Sequence, residues 1–216
     1  MKRLLTILTF TALIFAATEG NAQAFNRSTK MITIGLGAAD MFHIPVNYGT
    51  YYNSFYSPIT GQLNVSGEFA VHKYVGVGFT TGIGGRAGGA RLNGLGLYRG
   101  FYPEINIPIG AMANFHFYQL IADKAKKNIH ADKLDVYVGL SLGTGIAIHP
   151  GGYYDGNGVY RNGAFNDVLF FASPQVGVRY YFTPSIAING EIGWGRTLIG
   201  AGITFNLGGS RAEAKK

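Results

Sequence analysis

The sequence predicts an all-β protein, an eight-stranded antiparallel up-and-down transmembrane β-barrel. Three observations carry that expectation. Segments of about ten residues alternate apolar and polar side chains between residues 30 and 207, and alternation at period two marks strands with one apolar and one polar face. No run beyond the leader reaches the roughly 20 apolar residues that a spanning helix needs. A leader of secretory type stands in front of the strands.

In that leader Lys2 and Arg3 form a basic start and Leu4 to Ala17 an apolar run. Gly20-Asn21-Ala22 or Ala22-Gln23-Ala24 then offers small residues at the two positions a signal peptidase reads. The run is too short for a membrane anchor. Residues 1–24 are therefore expected to be a signal peptide cleaved near 22–24, residues 25–207 the barrel, and 208–216 a polar periplasmic tail. The sequence has no cysteine, so a lipoprotein signal, a disulfide framework, zinc-thiolate sites and cysteine nucleophiles are all excluded.

Composition agrees. Of 216 residues 33 are glycine, aromatics make up 14% and charged residues only 13%, about half the charged share of soluble domains. Interleaving apolar outward positions with small or polar inward ones reconciles so little charge with a hydropathy too low for helical spans. The formal charge of +7 becomes +6 once two bases (Lys2, Arg3) and one acid (Glu19) leave with the leader. Those bases are spread over loops rather than gathered beside stacking aromatics, so nucleic acid is not an expected partner.

Eight strands follow in order. Lys30 to Asp40 points Ile32, Ile34, Leu36 and Ala38 one way and Thr33, Gly35 and Gly37 the other. Gln62 to His72 sets Leu63, Val65, Phe69 and Val71 against Gln62, Asn64, Ser66 and Glu68. A tight turn at His72-Lys73 leads to Tyr74–Ile83, which alternates Val75, Val77, Phe79 and Thr81 with glycines and Thr80. Glu104 to Tyr118 is the clearest, with Ile105, Ile107, Ile109, Ala111, Ala113, Phe115 and Phe117 opposing Glu104, Asn106, Gly110, Asn114, His116 and Tyr118. The fifth, Leu134 to Ile148, places Val136, Val138, Leu140, Leu142 and Ile146 outward and Tyr137, Gly139, Ser141 and Gly143 inward. The sixth, from about Leu169 to Phe182, turns Gln175, Gly177, Arg179 and Tyr181 inward and places Pro174 at a bulge or strand rim. A Thr183-Pro184-Ser185 turn precedes Ile186–Trp194, with Ala187, Asn189 and Glu191 inward, and Leu198 to Leu207 closes the set. Ten strands would result if a long loop held a further hairpin.

Turns after the second and sixth strands are tight, whereas Met41–Gly61, Gly84–Pro103 and His149–Asn166 are long and rich in glycine and tyrosine. Short turns face the periplasm and long loops the outside, which puts both termini in the periplasm. Leu120 to Lys133 is long for a periplasmic turn. With Lys124, Lys126, Lys127 and Lys133 it reads as a solvated basic loop rather than a short amphipathic helix.

The stretch Val176-Gly177-Val178-Arg179-Tyr180-Tyr181-Phe182-Thr183-Pro184, with Ala187 to Trp194 and the closing Gly202-Ile203-Thr204-Phe205, resembles the end of small outer-membrane barrels of the OmpA/OmpX-like, porin-family type. The leader ending Asn21-Ala22-Gln23 is similar to those of Bacteroidota. The resemblance implies a Gram-negative outer-membrane location. Many such barrels end at the terminal aromatic, whereas here a polar tail follows, too short for a peptidoglycan-binding domain.

Glu68, Glu104, His116, Arg179 and Glu191 form the expected polar network of the lumen, with Arg179 pairing Glu68 or Glu191, because unpaired charge in so narrow a space is costly. An eight-stranded barrel is just wide enough for side chains to fill. The inward glycines leave a narrow porin-like path open as the alternative. A lipid-active enzyme comes third: none of His43, His72, His116, His130 and His149 sits in a His-x-Ser arrangement on a strand, so no catalytic residue, metal or cofactor is assigned. Tyr51, Tyr52, Arg91, Arg99, Tyr153, Tyr154 and Arg161 lie in the long loops and are the candidates for binding an extracellular ligand. Outer-membrane lipid and lipopolysaccharide are the other expected partners of a monomeric barrel with an envelope or surface-interaction role.

Overall fold

The computed structural model describes residues 24–40, 52–56, 61–92, 98–125, 129–150, 153–154, 160–161, 163, 165–194 and 197–208. Its strands are β1 (Lys30–Asp40), β2 (Tyr52–Tyr56), β3 (Gln62–His72), β4 (Val75–Leu92), β5 (Tyr98–Phe115), β6 (Leu134–His149), β7 (Tyr153–Tyr154), β8 (Tyr160–Arg161), β9 (Phe165–Thr183), β10 (Ile186–Gly193) and β11 (Thr197–Asn206). Helix α1 (Phe117–Ala125) joins β5 to β6. Eight strands pair in the order β1-β3-β4-β5-β6-β9-β10-β11, and β11 returns to β1 through Ile34↔Ile203 and its neighbours. Every pairing is antiparallel, so the sheet closes and leaves no strand of the eight with an unpaired edge. No helix among the described residues is long and apolar enough to cross a membrane.

The wall is turned inside out relative to a water-soluble protein. Leu36 is 68% exposed and Phe170 82%, while Arg179 is 1% exposed and Asp135 fully buried. Along β9 the two faces alternate without a break from Phe171 to Phe182. Such an outer surface is compatible with lipid as the surrounding solvent, and closure satisfies the backbone there.

Two of the prolines in the barrel strands, Pro174 and Pro108, fall where a donor is not needed. Pro174 accepts from the Trp194 amide at 3.0 Å, just past the end of β10, so its missing N–H also faces that rim. Pro108 sits where the β4–β5 ladder is interrupted between Thr81↔Ile109 and Gly84↔Asn106, and the Thr81 hydroxyl donates to its carbonyl at 2.9 Å.

Several boundaries differ from the sequence expectation. The turn after β3 is Lys73-Tyr74, with His72 opposite Val75, and Tyr74 instead sends its hydroxyl to Asp123 at 2.7 Å. Gly84–Pro103 is mostly strand: β4 and β5 continue paired from Arg86↔Glu104 to Arg91↔Tyr98, because a ladder needs no side chains and the glycines there hid the alternation. Within Met41–Gly61, β2 pairs with the far end of β4, Asn53 opposite Arg91. Phe117 and Tyr118 belong to α1 rather than to the fourth barrel strand, and the solvated loop expected over Leu120–Lys133 begins as that helix. Its inward residue is Gln119, whose amide donates to the carbonyls of Ala131 at 3.0 Å and Leu134 at 3.3 Å. The side of the helix that meets the barrel is therefore led by a polar residue. Residues 1–23 of the expected leader (1–24) and most of the tail (209–216) lie outside the described residues.

The inward glycines are not open bore. A Cβ on Gly35 would lie 2.7 Å from the Ala201 carbonyl oxygen and one on Gly202 2.5 Å from that of Ile34. Gly76, Gly139 and Gly177 leave room for the side chains of Glu68, Asn114 and Tyr137. Gly177→Ala drives a methyl into the Tyr137 ring and is expected to cost about 1–3 kcal/mol. Gly190→Ala, whose nearest neighbour is Val178 Cγ1 at 3.8 Å, should be near neutral; the temperature at which the folded, fast-migrating gel band is lost compares the two.

Candidate functional site

Strand parity delivers the polar side chains of the lumen from five strands and one connection. Glu68 comes from β3, Asn114 from β5, Asp135 and Tyr137 from β6, Arg179 from β9, Asn189 and Glu191 from β10. His116 stands between β5 and α1 and still points inward, fully buried.

These groups close a ring of four charges. His116 Nε2 lies 2.7 Å from Glu68 Oε1 and Nδ1 2.8 Å from Asp135 Oδ1. Arg179 Nη2 donates to Glu68 Oε2 at 2.8 Å and Nη1 to Asp135 Oδ2 at 3.1 Å. With a carboxylate oxygen facing each ring nitrogen, the imidazolium form of His116 donates from both. Two cations then balance two carboxylates. Asn114 Nδ2 adds a further donor to Glu68 Oε2 at 2.9 Å.

The ring is covered on both sides. The Arg179 guanidinium lies over the Tyr137 ring, 4.1 Å from its centroid, a placement in which the π face attracts the cation. The Tyr137 hydroxyl in turn donates to Glu191 and lies 3.1 Å from Asn189 Oδ1. Next to these groups a cavity of about 20 Å³ is lined by Thr33, Asn64, Ser66, Asn189 and Glu191, enough for about one water. On the opposite side Phe25 is fully buried and stacks on His116 with ring centroids 3.4 Å apart. Ala24, Phe25, Met31, Tyr181 and Ala187 form an apolar floor, tied by the Tyr181 hydroxyl to Met31 Sδ at 3.0 Å.

Chemically the ring ties its strands together. Both nitrogens of His116 are engaged, so it has no lone pair to act as a base, and Arg179 holds the place between the carboxylates that a metal ion would need. Among the described residues no group of three or more histidine or acidic side chains is arranged to hold a metal.

Of the lumen residues named from sequence, Glu68, His116 and Arg179 meet in the ring. Arg179 pairs with Glu68 and also with Asp135, while Glu191 joins the column through Tyr137. Glu104 pairs with Arg86 towards the other end of β5, and its side chain is outside the described residues. Asp135 and Phe25 were missed, whereas Asn114 and Asn189, inward by parity, were not assigned to the network. Parity with Tyr137 identifies Asp135, whereas nothing local marks Phe25, which precedes every strand.

Tyr51 and His43 lie outside the described residues. Tyr52, Arg91 and Arg99 fall in the paired extension of β2, β4 and β5, where Tyr52 opposes Leu92, Arg91 opposes both Asn53 and Tyr98, and Arg99 opposes Ala90. Tyr153 opposes Arg161 and Tyr154 opposes Tyr160 in the β7–β8 pair. For all of these only the backbone is described. His72 and His130 are exposed at the end of the barrel that carries α1.

No family model matches the sequence, and no curated protein matches it. Among solved structures the chain is similar to the N-terminal β-barrel domain of Pseudomonas aeruginosa OprF, at 12% identity and a TM-score of 0.44, covering 84% of this chain and 98% of that one. It is also similar to a de novo designed transmembrane β-barrel, at 12% identity and a TM-score of 0.39 over the same shares. The barrel itself is established by its own closed strand order.

Arg179→Met leaves Glu68 and Asp135 sharing the single cation of His116 in the ring and is expected to destabilise the folded barrel by about 3–5 kcal/mol. Adding Glu68→Gln should recover part of that loss, and urea unfolding in bilayers measures both. Nitrogen NMR of the wild-type imidazole should show protons on both ring nitrogens at neutral pH; a single protonated nitrogen would refute the charge-balanced ring.

Proposed function

We propose that this protein is a monomeric outer-membrane β-barrel whose role is structural or surface-interactive, not transport and not catalysis. The observation that carries the reading is the filled lumen: a four-charge ring, capped by Tyr137 on one side and Phe25 on the other, inside an apolar wall. A bore occupied in this way offers no continuous water path. The narrow-channel alternative rested on inward glycines, and their space is taken by neighbouring backbone and by plug side chains.

Export through a leader cleaved near residues 22–24, both termini in the periplasm, and contact with outer-membrane lipid and lipopolysaccharide complete the proposal. So does a Gram-negative, Bacteroidota-like source. Binding of an extracellular ligand is assigned to the loop end, where the backbones of Tyr52, Arg91 and Arg99 come together in one sheet extension. Aromatics at both ends fit a girdle at the two interfaces: Phe170 and Trp194 are exposed towards the loop end, Tyr180 and Phe205 at the other.

Single-channel recording in planar bilayers tests the reading, using protein whose folding is verified by heat-dependent gel mobility. Silence is expected. Discrete, reproducible openings from the verified barrel would overturn the plugged lumen and put transport first.

A further inference from the structure

Helix α1 is amphipathic the wrong way round for a helix in water. Gln119, 1% exposed, faces the barrel together with Ala122, whereas Ile121 is 48% exposed. Phe117, Leu120, Ile121 and Lys124 share the opposite face at helical spacing, with Phe117 and Leu120 half-buried and Lys124 exposed. The orientation is held by Asp123, which accepts from Tyr74 at 2.7 Å and Lys73 at 3.2 Å on the neighbouring turn. The strand leading into the helix ends on the exposed Phe115, at the end of the barrel where Tyr180, Phe182 and Phe205 are exposed as well.

The same rim is basic. Arg27, Lys30, Lys73, Lys124 and Lys133 are exposed there, while the acids at that end among the described residues are Asp123, already bonded, the half-buried Asp132, and the two buried carboxylates of the lumen. An apolar stripe bordered by lysines at a membrane boundary has the chemistry of an interfacial helix on an anionic leaflet.

We propose that α1 is an interfacial anchor, with Phe117, Leu120 and Ile121 at the acyl boundary and Lys124 and Lys133 on the phosphates of anionic glycerophospholipid. This gives the lysine-rich connection a partner. The inference rests on the membrane-barrel reading, and Trp194, the one tryptophan of the chain, tests that reading separately.

Wild-type barrel is folded into vesicles of phosphatidylcholine, with and without phosphatidylglycerol, containing acyl-brominated lipid. Quenching of Trp194 reports insertion of the barrel; its absence would overturn the membrane reading itself. In a Trp194→Phe background, Ile121→Trp is expected to emit blue-shifted and be quenched, more strongly when phosphatidylglycerol is present. A water-exposed, unquenched indole in an inserted barrel would overturn the anchor and assign the face to a periplasmic macromolecule. Native mass spectrometry of the unsubstituted chain gives a second readout. Preference for phosphatidylglycerol over phosphatidylcholine should fall roughly fivefold for each of Lys124→Gln and Lys133→Gln, and equal retention of the two lipids by the wild type would overturn the headgroup assignment.

Discussion

Charge balance inside the lumen is the constraint on which the rest of the structure depends. Glu68 and Asp135 come from β3 and β6, Arg179 from β9 and His116 from the end of β5, so the ring ties together elements far apart in sequence. Burying any one of these ions alone costs several kcal/mol, and their mutual attraction offsets that cost only when all four are in register. A shift of one residue in any of the three strands would turn its charged member out into the apolar wall. The ring thus selects the register of the barrel as much as it fills it.

The small residues follow from the large ones. Glu68 needs the space over Gly76, Asn114 that over Gly139, and Tyr137 that over Gly177. Each is an inward glycine beside an inward bulky group on the neighbouring strand: Gly76 opposes Asn114 beside Glu68, Gly139 opposes Asn114, and Gly177 opposes Tyr137. Elsewhere, at Gly35 and Gly202, the absence of Cβ lets two backbones approach. Among the described residues these glycines therefore meet a packing requirement of a filled, tightly curved barrel.

Outside, the physics is that of lipid. Exposed Ile, Leu, Val and Phe encircle the strands, and the same logic extends to α1, which turns Gln119 towards hydrogen-bond acceptors in the barrel mouth and Ile121 away. Phe25 and the apolar floor around Met31 and Tyr181 then separate the charged ring from water at that end. A dry, low-dielectric surrounding strengthens each ion pair above it.

Period-two alternation determined the barrel, its eight strands and the inward identity of Glu68, His116 and Arg179, because side-chain direction in a strand depends only on parity. Parity also held Asp135, one step before Tyr137. What the tertiary structure decided is everything that depends on which strands become neighbours and at what height. Arg179 meets Asp135 rather than Glu191 because β9 pairs with β6 in a register that sets Asp135 opposite Arg179, while on β10 it is Asn189 that stands opposite and Glu191 lies one inward step further along. The glycine-rich β4–β5 extension carries no alternation to read, yet its backbone pairs to Arg91↔Tyr98. Helix α1, the alternative set aside for the basic connection, and Phe25, which the sequence does not mark, are held by the Ala131 and Leu134 carbonyls and by the His116 ring, groups that come within reach only in the folded chain.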